Sequence, residues 1–75
     1  MFIQKKQVIE GLLSAREFEV LEYIARGHKN REIAEALAIE EVTVRFHAGN
    51  IFEKLGVKNR TAAAGYAFRN KLITD

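Results

Sequence analysis

The chain has 75 residues, 12 Lys/Arg against 10 Asp/Glu, no cysteine and no proline. That length holds one domain with a modest core. Without cysteine, neither a disulfide framework nor a thiolate zinc site can staple it, so a partner surface or a parent protein is a natural source of added stability.

His28 and His47 stand too far apart to form a metal pair on one helix. The Met1 end carries Lys5 and Lys6, but Glu10 interrupts the short apolar stretch that follows, so it does not read as a secretory signal or a membrane span. The expectation is a soluble, cytoplasmic protein. The net charge of +2 hides an asymmetry: residues 1–41 hold six Lys/Arg against eight Glu, and residues 42–74 hold six against the single Glu53. The basic half either faces phosphate or is a solvated surface.

Residues 1–12 read as a short helical extension or the remnant of a linker from an upstream domain, and residues 13–75 as the domain itself. A first helix is predicted at about 15–26. Ser14 can cap its free N–H groups, Glu17 at the third position can reach back, and Leu13 with Phe18 can staple the entry. Phe18, Leu21, Ile24 and Ala25 then form one apolar stripe, and Gly27 stops it.

A short second helix is predicted at about 30–37, with Ile33, Ala34 and Leu37 inward and Asn30 as the nearest capping residue. Ala38-Ile39-Glu40 breaks the pattern, with Ile39 a candidate for a buried turn. A third helix at about 41–54 turns Val44, Ala48, Ile51 and Leu55 inward. Gly56 ends it, with Val57 closing back onto Phe52 in a Schellman turn. Asn59 caps a fourth helix at about 60–71, rich in small residues, after which Leu72 and Ile73 fold back onto the core. No strand signal competes, so the fold class is all-α.

A short helix, a tight turn and a longer helix make a DNA-reading unit when a small residue lets the two cross closely and the second keeps one face free. Ala34 suits the crossing. With Val44 and Ile51 inward, Glu41, Val42, Arg45, Phe46 and Gly49 lie on the opposite side of the third helix. Many small helical domains share this spacing, so periodicity alone does not single out DNA binding.

Leu13-Ser14-Ala15-Arg16-Glu17-Phe18-Glu19-Val20-Leu21 is similar to the opening of the LuxR-type (GerE or NarL/FixJ-type) DNA-binding family. The resemblance continues through Gly27, Asn30-Arg31-Glu32-Ile33-Ala34, Leu37, Ile39, Thr43-Val44-Arg45, His47, Asn50-Ile51, Lys54-Leu55-Gly56-Val57, Asn59-Arg60-Thr61 and Ala63. It covers about residues 13–73. It implies a four-helix (tetra-helical) helix-turn-helix domain whose third helix enters the major groove and whose fourth helix often pairs two subunits.

The departures concentrate around the reading helix. Lys29 stands where a Ser or Thr cap is usual, Glu40 where the recognition helix is usually capped, and Ala38 where glycine is common. Val42, Phe46, Ala48 and Gly49 replace residues that are often polar or basic in relatives, which makes the reading face unusually apolar.

The resemblance implies the following roles. Arg45 leads for base contact, since arginine pairs with guanine O6 and N7. Phe46 either packs against a thymine methyl or covers core, and Val42 shares that ambiguity. Glu41 either accepts from cytosine or favours the helix dipole, and Gly49 completes the base-facing set. Asn30, Arg31, Thr43, His47, Asn50, Lys54 and Lys58 are candidates for phosphate contact, which sets register without reading sequence.

Arg60 meets phosphate or pairs with an acid of the first helix, Glu17 or Glu22. Ala62, Gly65, Tyr66 and Arg69 are candidates for a helix-to-helix contact between subunits.

The expected function is a sequence-specific transcription regulator, or its C-terminal DNA-binding domain, acting on double-stranded DNA as a homodimer, with RNA polymerase a candidate further partner. The alternative is a small helical protein-interaction module that antagonises or modulates a related regulator. An enzyme is not expected, because the chain offers no carboxylate pair in a cleft, phosphate loop or activated nucleophile. No metal, cofactor or small-molecule ligand is expected within the domain.

Overall fold

In the computed structural model, which describes residues 11–73, four helices follow in chain order: α1 (Ala15–Ala25), α2 (Asn30–Leu37), α3 (Glu41–Leu55) and α4 (Arg60–Arg69). Residues 1–10, most of the segment read as an extension or linker, lie outside the described residues, as do Thr74 and Asp75.

The start of α1 forms as its sequence dictates. Ser14 Oγ accepts from the Glu17 N–H at 3.0 Å, and Glu17 Oε1 accepts from the Ser14 N–H at 3.0 Å. Leu13 and Phe18, either side of this box, are both buried, as a hydrophobic staple requires. The start of α4 is capped by Asn59, whose Oδ1 accepts from the Ala62 N–H at 2.8 Å.

The two middle helices start with less. Lys29 supplies no side-chain acceptor to α2, and only the returning half of a capping box is present, with Glu32 Oε1 accepting from the Lys29 N–H at 2.8 Å. Asn30 is therefore the first residue of α2 and not its cap, and its side chain is committed elsewhere. Glu40 precedes α3 with no side-chain cap bond. Its contribution there is a negative charge near the positive helix end.

All four helices end alike. A residue in the left-handed region follows the helix, and the next N–H reaches back five residues, as in a Schellman turn. The bonds are His28 N–H to Tyr23 O (3.0 Å), Ile39 N–H to Ala34 O (3.0 Å), Val57 N–H to Phe52 O (3.0 Å) and Leu72 N–H to Ala67 O (2.9 Å). Gly27 and Gly56 occupy two of the left-handed positions, but Ala38 and Lys71, both at φ 57°, occupy the others. The stop at Lys71 ends α4 at Arg69, two residues before the sequence-based boundary.

These stops aim the chain back into one core. Leu13, Val20, Leu21, Ile33, Val44 and Ile51 are fully buried, with Ala63, Ala67, Leu72 and Ile73 closing the side formed by α4. α1 packs against α3 and α4, α2 packs against α3, and α3 also meets α4. Buried Ala34 on α2 and Ala48 on α3 keep side-chain bulk small where these two helices meet the core. α3 is thereby held along one side, with its other side left to solvent.

Candidate nucleic-acid interface

The burial pattern of α3 separates its two faces. Val44, Ala48 and Ile51 point into the core, whereas Glu41, Val42, Arg45, Phe46 and Gly49 are exposed. This decides the ambiguity over two apolar residues: Phe46 is 67% exposed and Val42 59%, so neither covers core. The Phe46 ring lies tilted beside that of His47, with centroids 6.2 Å apart. Thr43, His47 and Asn50 are half-buried along the edges of the outward stripe.

Arg45 Nη1 lies 3.9 Å from Glu41 Oε2, one helical turn back. Both side chains are about half exposed, so the pair is a loose surface contact that stabilises little. Glu41 shares an open hollow with Lys29, Asn30, Arg31 and Glu32. The start of α2, with two cations, therefore sits beside the start of α3. Beyond the far end of α3, Lys58 is exposed.

Several of the sequence-derived candidates already have partners inside the chain. Lys54 Nζ donates to Glu17 Oε1 at 2.8 Å, tying the last turn of α3 to the first turn of α1. The Glu17 side chain is only 7% exposed. Burial alone would raise its pKa, but the bonds from Lys54 and the Ser14 N–H outweigh it and hold the carboxyl below its ordinary 4.5.

Arg60, at the start of α4, donates from Nη1 to Asn30 Oδ1 at 2.8 Å and from Nη2 to the His28 carbonyl at 2.6 Å. Its partners are thus the loop before α2 and the first residue of α2, where the sequence suggested Glu17 or Glu22. Lys54 has taken Glu17 instead. Partial burial lowers the Arg60 pKa below its ordinary value. Glu32 is held below 4.5 chiefly by the Lys29 N–H, with His28 Nδ1 3.5 Å away adding to it.

On α4, Ala62, Gly65 and Tyr66 are half-buried, and Tyr66 packs against the core cluster. Arg69 is exposed, and its guanidinium lies over Gly65: a Cβ built there would meet Arg69 Nη1 at 3.0 Å. The outward face also carries Phe68, 44% exposed, which the sequence reading missed. Its signal was helical spacing, since residues 61, 64 or 65, and 68 share a stripe. Among the described residues, no helix is long and apolar enough to cross a membrane.

The family model described as "Bacterial regulatory proteins, luxR family" matches residues 11–67. The chain is similar to the response regulator protein VraR of Staphylococcus aureus, with 44% identity over 71 residues, 95% of this chain and 34% of that protein. The VraR of Staphylococcus epidermidis matches to the same extent. The chain thus spans about a third of the length of the curated relatives it matches.

Proposed function

The chain belongs to the LuxR family of bacterial regulatory proteins, and from that membership we propose that it binds a two-fold symmetric DNA site as a homodimer, with α3 in the major groove, to regulate transcription in the cytoplasm. The single observation that carries this reading is the outward stripe of α3. It presents Arg45 and two apolar side chains between the cations of the α2 start and Lys58.

A 15-residue helix is about 22 Å long, enough to cross a major groove about 12 Å wide and bring both ends towards phosphate. Arg45 reads a guanine edge. Arg31, Thr43, His47, Asn50 and Lys58 serve the backbone. Lys54 joins them while holding Glu17, because an ammonium has three protons to donate. Asn30 does so through its amide N–H, its carbonyl oxygen being held by Arg60. Ala62, Gly65, Tyr66 and Arg69 on α4 face the second subunit, with Phe68 beside them. In a longer regulator, this chain is the DNA-binding segment, and contacts to RNA polymerase come from surfaces that the docked α3 leaves free.

The test is a selection of duplexes from a random pool, followed by Arg45→Ala on the enriched sequence. Enrichment of a symmetric motif is expected. The substitution should cost about 1–3 kcal/mol at one base position. An equal loss on every sequence would contradict base reading by Arg45.

The exposure of Val42 and Phe46 also supports a second reading, a protein-binding face. Salt separates the two, because DNA affinity falls steeply with ionic strength and an apolar protein contact does not.

A further inference from the structure

We infer that the recognition helix of this chain also discriminates by C5-methyl groups of thymine, with Phe46 and Val42 as the methyl-contacting residues. This deepens the DNA-binding reading and rests on it. Of the exposed positions from 41 to 49, Val42 and Phe46 are apolar and one helical turn apart, and neither packs against the core cluster. Gly49 continues the stripe one turn further. A Cβ added there would meet nothing within 4 Å, so the outward face of the helix has an open notch at this position. Arg45, the one hydrogen-bond donor side chain among these exposed positions, leans towards Glu41.

The floor of the major groove is made largely of hydrogen-bonding edges, and the thymine methyl is its most prominent apolar group. An apolar side chain set against N7, O6 or N4 strips water from a polar atom and returns no hydrogen bond, which is unfavourable. Set against a methyl group, it buries apolar surface on both sides. The sign of the discrimination is therefore determined by Val42 and Phe46 themselves. The framing cations indicate that the occupant is a polyanion and not an apolar protein groove: Lys29 and Arg31 sit beside the start of α3, and Lys58 beyond its end.

The test uses duplexes enriched from a random pool, resynthesised with deoxyuridine in place of thymidine at one position at a time. This removes the methyl and leaves every hydrogen-bonding group in place. At the contacted positions, affinity should fall about fourfold per methyl removed. Phe46→Ala, which truncates an exposed ring and leaves the core intact, should bind the two forms of the Phe46-contacted position within twofold of each other.

Equal affinity of the wild-type chain for thymine and uracil duplexes at every position would overturn methyl reading and leave DNA binding standing. Retention of the full uracil penalty by both Phe46→Ala and Val42→Ala would overturn it in the same way. If no duplex binds even at low salt, methyl reading and the DNA-binding function fail together.

Discussion

Replacing Glu17 with Gln isolates the charge in the contact that joins α1 to α3. The carboxylate has two jobs: it accepts from the Ser14 N–H at 3.0 Å and from Lys54 Nζ at 2.8 Å. A Gln at this position can keep the first bond, because the amide oxygen completes a capping box as well as a carboxylate does. It loses the charge facing Lys54. A hydrogen bond to a charged group contributes about 1.5–3 kcal/mol, but the Lys54 side chain is 40% exposed, so solvent screens the pair. The expected loss is therefore nearer 1 kcal/mol. Glu17→Ala also removes the returning half of the box, which adds about 1 kcal/mol.

In a domain of this size, 1 kcal/mol shifts Tm by about 4–8 °C. Thermal unfolding followed by circular dichroism resolves both steps. The pH dependence supplies an independent check. The folded pKa of Glu17 lies below 4.5, so the stability it contributes is complete above 4.5 and is lost as pH falls through the lower folded value. Wild type and Glu17→Gln should differ at neutral pH and converge in acid. Equal melting at pH 7, or a difference that persists unchanged in strong acid, would refute the assignment of stability to the ion pair.

Other substitutions probe other parts of the fold. Ala38→Gly relieves a left-handed backbone at φ 57°. The relief, about 1–2 kcal/mol, exceeds the extra freedom of the unfolded chain, so the variant should melt a few degrees higher. Gly49→Ala should stabilise α3 by about 0.5–1 kcal/mol in denaturant unfolding, since its methyl meets nothing in the free protein, and should weaken duplex binding by filling the notch.

Arg60→Lys forfeits the fork that holds both Asn30 and the His28 carbonyl. It should cost about 1 kcal/mol in the same assay, because a lysine cannot reproduce both bonds. Glu41→Gln frees Arg45 and removes a carboxylate from the entry of α3. Duplex affinity should rise at low salt, and the gain should shrink as ionic strength increases. A gain independent of salt would mean that the carboxylate acts other than by charge.

The helices and their ends were legible because their determinants are local. Ser14 and Glu17 lie three residues apart, as do Asn59 and Ala62, and the N–H and acceptor groups they join come from a single helical turn. Gly27 and Gly56 mark two of the stops for an equally local reason, the left-handed backbone. The stop at Lys71 was missed because nothing in a lysine announces positive φ. The Schellman bond from Leu72 to Ala67 and the burial of Leu72 and Ile73 impose it.

The outward stripe of α3 followed from helical periodicity, but whether Phe46 turned in or out did not. A residue near the boundary of a stripe is placed by the rotation of the whole helix, which packing against α1, α2 and α4 decides. The same holds for the polar partners. Lys54 and Glu17 are 37 residues apart, and Arg60 and Asn30 are 30 apart. Several acids and cations in this chain have compatible charge, and only the assembled core brings particular ones within 3 Å.

By itself, then, the sequence determined four amphipathic helices, about half of their caps and the class of surface that α3 presents. The tertiary structure decided which charges are already engaged and which side chains of α3 remain exposed, because distance in space, and not spacing along the chain, sets those energies.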